Sequence, residues 1–207
     1  MREILLATAN PDKAREMEEI LSAGEAGLPP IRWRRLAEFP GLPQPLEDGE
    51  TFLANARLKA LHYARHTGLW TIADDSGLEV DALGGDPGVR SARYAGSPAS
   101  AGANNALLVS KLAGIPAVRR TARFRCAAVL AAPDRVLAAA EGAVEGRIVD
   151  QPRGANGFGY DPHFWIEAAG MTAAEMPPDR KHAVSHRGQA LRRLRQQIAP
   201  LLAAETV

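Results

Sequence analysis

The chain has 207 residues, enough for one domain with a sizeable core. Hydrophobic content of 46%, charged content of 24% and a formal net charge of +1 fit a soluble globular protein; they supply no field that calls for nucleic acid or an anionic membrane. No apolar run approaches the ~20 residues needed to cross a bilayer. The start, Met1-Arg2-Glu3-Ile4, does not read as a signal peptide, and the single cysteine, Cys126, excludes an intramolecular disulfide and fits a reducing cytoplasm.

Glu3 to Thr8 reads as a buried strand. Asn10 and Pro11 follow as N-cap and first residue of a helix, with Ala14, Met17, Ile20 and Leu21 at helical spacing. Phe39 to Gly49 carries three prolines and is expected to be a stiff loop. Thr51 can cap a second helix, whose apolar face is Phe52, Leu53, Ala56, Ala60, Leu61 and Ala64. Trp70 to Ala73 is expected as a short strand, with Asp74, Asp75 and Ser76 at its tip and Gly77 turning the chain. A glycine- and proline-rich loop then leads to Arg90 and Arg93. Asn104 to Leu112 is a short helix, and Thr121 to Ala132 and Val136 to Ile148 are paired strands. There Arg123 and Arg125 alternate with Phe124 and Cys126, at strand period, as a solvated face. Pro152 to Pro162 is a second glycine-rich loop, His163 to Ile166 another strand, and Gly188 to Ala204 the last helix. The elements imply an α/β fold with a mixed sheet, residues 1–207 forming a single domain without a clear linker.

Four clusters carry chemistry. Thr8, Asn10 and Lys13 stand where a strand meets a helix N-terminus, a place whose open N–H groups and dipole favour an anion. No P-loop pattern is present. Asp74 and Asp75 are neighbours on an extended segment, so their side chains point to opposite faces and do not form a shared-proton pair. Asp75, beside Ser76, is the better candidate for a hard cation, with Glu47 as second carboxylate and Asp48 as its alternative. In the second glycine loop, glycines flank Phe158, so its ring can stack on a base, worth roughly 1–3 kcal/mol, or anchor the loop together with Tyr160. Finally, Lys181, Ser185, His186 and Arg187 converge near the last helix. Basic residues in its first turn oppose the dipole, a local cost that a ligand would offset. Only four of the 25 basic residues are lysines; Lys13 and Lys181 fall in these clusters and Lys59 in the helix that follows Glu47.

The segments LATANPDKAREM, EDGETFLANARLKA, ADDSGLEVDALGGDPGVRSARYAG, PRGANGFGYDPHF and DRKHAVSHRGQAL together resemble the inosine triphosphate pyrophosphatase family, which acts on non-canonical purine nucleoside triphosphates. The likeness spans residues 5 to 191. It implies hydrolysis of ITP, dITP and XTP to the monophosphate and pyrophosphate with Mg²⁺. It implies an elongated mixed sheet flanked by helices, with two lobes around a central substrate cleft, and a cytoplasmic homodimer. Carried over by motif, Thr8, Ala9, Asn10, Pro11, Asp12 and Lys13 contact the triphosphate. Glu47 and Asp75 hold the metal, and Asp75 is the general base. Ser76 binds substrate; Phe158, Gly159, Tyr160 and Asp161 wall the base and sugar. Lys181, His186 and Arg187 complete recognition, and Lys59 faces the phosphates. Ala9 stands where the family usually has glycine. A pyrophosphatase for modified pyrimidines and a nucleotide-sensing or nucleic-acid-binding module are the competing readings. The final SHR motif and FGYD loop oppose the first, and the near-neutral charge opposes nucleic acid.

Overall fold

Asn10 and Thr51 each close an extended segment and open a helix in the computed structural model, which describes residues 2–23, 30–98 and 100–204. Strand β1 is Arg2–Leu6 and helix α1 is Pro11–Ser22. The Asn10 side chain accepts from the N–H groups of Asp12 and Lys13 at 2.9 and 3.2 Å, and Pro11 fills the first position, which needs no N–H. Strand β2 (Ile31–Arg35) follows. Thr51 Oγ1 accepts from the Ala54 N–H at 3.1 Å and opens α2 (Phe52–Thr67). That helix stops at Gly68, whose φ of 71° is a left-handed cap. The remaining elements are β3 (Trp70–Val80), α3 (Ala101–Lys111), β4 (Thr121–Ala131), β5 (Val136–Ile148), β6 (Phe164–Ile166), β7 (Met171–Thr172), α4 (Pro178–Val184) and α5 (His186–Ala204).

The strands form one seven-stranded sheet in the order β2-β1-β3-β4-β5-β6-β7. It is mixed: β1 runs parallel to β2 and to β3, whereas β6 runs antiparallel to β5 and β7. Helices flank it, which is the α/β architecture expected from the sequence. No helix among the described residues is long and apolar enough to cross a membrane.

The chain divides into two compact units. The first comprises Met1–Asp75, Cys126–Gly142 and Arg187–Val207. Its core gathers Ile4, Leu6, Met17, Ile72, Leu130, Leu191, Leu194 and Ile198, with Cys126 as small filler whose thiol burial pushes well above the usual range. The second comprises Ser76–Arg125 and Ala143–His186. Its core gathers Leu78, Val80, Leu108, Phe124, Ile148, Phe164 and Met176, with the rings of Phe124 and Phe164 4.5 Å apart.

Three elements differ from expectation. Strand β3 does not end at the acidic pair; it runs 11 residues, so Asp74 and Asp75 lie mid-strand. Gly77 stays in the strand because Leu78 and Val80, both fully buried, extend the apolar alternation into the second core. The turn comes later, at Gly84 and Gly85, whose φ values are 65° and 93°. Strand β2 was not expected, because IRWRR is mostly charged; it pairs along β1 at the sheet edge, its arginines held by Glu3, Glu18 and Glu38. Helix α4 lies in a segment that the sequence reading left unassigned; Pro178 sits at its first turn, where proline is accepted.

Candidate active site

In the first unit, α2 presents a buried face of Phe52, Asn55, Ala56, Lys59, Ala60, Tyr63 and Ala64. Two polar residues interrupt this otherwise apolar stripe, four positions apart and therefore on one side of the helix. Lys59 directs its ammonium at the Asp75 carboxylate, 2.8 Å away, and at Glu47 Oε2, 3.2 Å away. Glu47 thus leaves the proline-stiffened loop to reach the cation that Asp75 holds, whereas Asp48 is exposed. Asn55 Nδ2 donates to Asp75 Oδ2 at 3.3 Å.

The adjacent acid faces other partners. Asp74 is 1% exposed. Its Oδ2 accepts from Nε and one terminal nitrogen of Arg187, each at 3.2 Å, and lies 3.4 Å from Lys13 Nζ. Arg187, 2% exposed, also donates to Glu16 on α1. The alternation of the strand therefore separates the two acids, as expected. Their charges are set differently. Burial would raise Asp74, but Lys13 and Arg187 outweigh it and hold the carboxyl well below its ordinary value. Burial pushes Asp75 up, against the opposing pull of Lys59. Burial also pulls Lys59 down, yet the carboxylates of Asp75, Asp74 and Glu47 keep its ammonium above the ordinary lysine value.

Two sequence arguments change here. The opening turn of α1 offers no open N–H groups at Asp12 and Lys13, because the Asn10 side chain takes both; the Asn10 N–H itself goes to Thr8 Oγ1 at 3.2 Å. An anion near Thr8, Ala9 and Asn10 would then rely on the Lys13 charge more than on the helix start. Likewise, the cost of placing Arg187 in the first turn of α5 is offset within the protein, by Asp74 and Glu16.

In the second unit, the glycine loop is folded around one carboxylate. Asp161 Oδ2 accepts from the Phe158 N–H at 2.9 Å and from Lys181 Nζ at 2.7 Å. A side chain at Gly157, where φ is 73°, would bring its Cβ within 2.1 Å of that same oxygen, so the loop closes only with glycine there. The half-buried Phe158 ring has the Lys181 ammonium 5.0 Å from its centroid. Gly159, with φ 63°, offers its carbonyl to Asn105 Nδ2 at 3.0 Å. Tyr160 is a core residue: its hydroxyl donates to the Ser91 carbonyl at 2.8 Å, so it anchors the loop. His186 lies flat against Phe124, with ring centroids 4.8 Å apart and planes 12° apart. A small recess is lined by Phe124, Asp161, Phe164, Lys181, Ser185 and His186. Ser76 follows Asp75 on β3 and is half-buried.

The lysines explain themselves. Lys13, Lys59 and Lys181 each seat a compact ammonium on an aspartate, Asp74, Asp75 and Asp161 respectively, and these pairs are largely buried. Lys111, the fourth, approaches Asp86 at 3.8 Å on the surface. Sequence reasoning missed Asn55, Glu16, Gly157 and Phe124. For Asn55 a signal existed: a polar residue one turn before Lys59 in an apolar stripe.

The chain as a whole is similar to known proteins. Residues 4–197 match the Ham1 family. A Geobacter sulfurreducens protein named dITP/XTP pyrophosphatase is 48% identical over 198 residues, 96% of this chain and 97% of its own. One of the same name from Thermus thermophilus is 50% identical over 193 residues, 92% of this chain and 89% of its own. The structure of a HAM1 protein from Coxiella burnetii superposes with a TM-score of 0.82 at 40% identity, over 99% of this chain and all of that one.

Proposed function

The chain belongs to the Ham1 family, and from that premise we propose that it hydrolyses ITP, dITP and XTP to the nucleoside monophosphate and pyrophosphate, removing non-canonical purines from the nucleotide pool. The observation that carries this reading is the gathering of Glu47 and Asp75 on a single buried cation, Lys59. Two carboxylates that converge on one positive charge form a hard-oxygen donor set. Mg²⁺ characteristically takes one or two carboxylates and fills its remaining positions with water and phosphate oxygens. Glu47 and Asp75 supply two such carboxylates, both within reach of the Lys59 ammonium. We place Mg²⁺ at Glu47 and Asp75. When bound, the metal neutralises phosphate charge and lowers the pKa of water.

The protein's own groups do the rest. Asp75 accepts a proton from the attacking water at a carboxylate oxygen. Lys59 and Lys13 place positive charge toward the phosphates. Phe158 supplies an aromatic face for the purine. Lys181 and His186 supply donors for the 6-oxo group, which hypoxanthine and xanthine carry and adenine replaces with an amine. Water adds to phosphorus, the bond from the α-phosphorus to the bridging oxygen breaks, and pyrophosphate departs with that oxygen. Action as a homodimer rests on the family likeness, and location in the cytoplasm on that likeness and on the single cysteine.

A release assay tests it. With Mg²⁺, one pyrophosphate per nucleotide is expected from ITP, dITP and XTP, with kcat/KM exceeding that for ATP by about a hundredfold or more. Chelation by EDTA should abolish release. Orthophosphate as the product, or equal turnover of ATP and GTP, would overturn the assignment.

A further inference from the structure

Asn55 is 1% exposed and both ends of its amide are engaged. Oδ1 accepts from the Gly49 N–H at 2.8 Å, and Nδ2 donates to Asp75 Oδ2 at 3.3 Å. Gly49 stands two residues after Glu47 on the proline loop. A Cβ added at Gly49 would fall 2.7 Å from Asn55 Oδ1 and 2.9 Å from the Ala54 Cβ, so the loop is fitted closely against this side chain. The Asn55 N–H bonds to the Thr51 carbonyl at 3.1 Å, which fixes the residue in the first turns of α2. One short side chain on a rigid helix thus grips the segment carrying Glu47 and, with its other end, the carboxylate of Asp75.

We propose that Asn55 is a positioning residue that sets the separation and orientation of the Glu47 and Asp75 carboxylates for a divalent cation. The proposal rests on the reading that this pair holds the metal. Lys59 reaches both acids too, but an ammonium on a four-carbon stem is a point charge that attracts without fixing geometry. The amide has few torsions and two directional bonds. Its chemistry is also specific: the loop presents an N–H, which needs an acceptor, and Asp75 presents an oxygen, which needs a donor. Only an amide of this length offers both from one atom pair. Partners of this kind, behind the metal's own ligands, typically change metal affinity or activity by about 10–100-fold when removed.

The test uses the full-length protein, wild type beside Asn55→Ala and Gly49→Ala. Gly49→Ala disturbs the same clasp from the loop side and leaves Asn55 in place. Mn²⁺ binding is followed by electron paramagnetic resonance in the presence of an inosine triphosphate whose α and β phosphorus atoms are bridged by nitrogen. Circular dichroism and thermal melts establish the folded fraction. Both folded variants should bind Mn²⁺ about tenfold or more weakly, and kcat should fall while KM for ITP moves less than about threefold. A purely structural role would lower the melting temperature and leave the Mn²⁺ affinity of the folded fraction unchanged. Wild-type Mn²⁺ affinity in folded Asn55→Ala, or in Gly49→Ala should the first variant not fold, overturns the proposal while leaving the metal reading intact. Absence of Mn²⁺ binding by the wild type would instead sink that reading, and this inference with it.

Discussion

Asp75→Asn is expected to reduce turnover of ITP by about a thousandfold or more while ITP binding stays measurable. The amide keeps the size of the carboxyl and can still meet Lys59 and Asn55, so nucleotide affinity by calorimetry should fall modestly. What is lost is the charge for the cation and the site that takes the proton. The fold should survive. Burial raises the Asp75 carboxyl above its ordinary value, so in the folded protein its ionisation is opposed, and near neutral pH the charged form detracts from stability. An amide removes that cost, although Lys59 then keeps only Glu47 as its direct carboxylate partner. A melting temperature close to wild type together with lost turnover fits an acid kept for chemistry. Near-wild-type turnover would remove Asp75 from the mechanism.

Arg187→Met is expected to have the largest effect on stability, about 3–5 kcal/mol in urea unfolding. The guanidinium is buried with two carboxylates, Asp74 on β3 and Glu16 on α1, and joins the start of α5 to both. Methionine restores the volume but leaves two buried acids with less compensation. Here the sign is opposite to that at Asp75. The Asp74 carboxyl is held well below its ordinary value by Lys13 and Arg187, so its charge stabilises the fold at neutral pH. That contribution is lost only as pH falls through its depressed pKa. Without Arg187 the loss should begin at a higher pH, visible as a shifted acid-unfolding midpoint. An unchanged urea midpoint would show that the ion pairs contribute nothing net.

The neighbouring acids show what the sequence could reveal. Strand alternation was enough to send Asp74 and Asp75 to different partners, and the caps at Asn10 and Thr51 were legible because capping is local chemistry. The length of β3 was not legible, since Gly77 carries a turn signal that the second core overrides through Leu78 and Val80. Strand β2 was hidden by its arginines, whose acidic partners lie in other segments. At the site, Glu47 and Asp75 could be named from residue type and loop stiffness. The Arg187–Glu16 contact could not, because the two are 171 residues apart and nothing local marks Glu16 as a partner. Asn55 lies between these cases: a polar residue in an apolar stripe is a local signal, but its bond to Gly49 depends on how the proline loop folds back.

A crystal structure with Mn²⁺ and the nitrogen-bridged inosine triphosphate tests the central claim most directly. The account predicts an anomalous Mn²⁺ peak in contact with the carboxylates of Glu47 and Asp75, and the hypoxanthine ring against Phe158. A nucleotide bound away from those carboxylates, or a Mn²⁺ peak that touches neither, would contradict it.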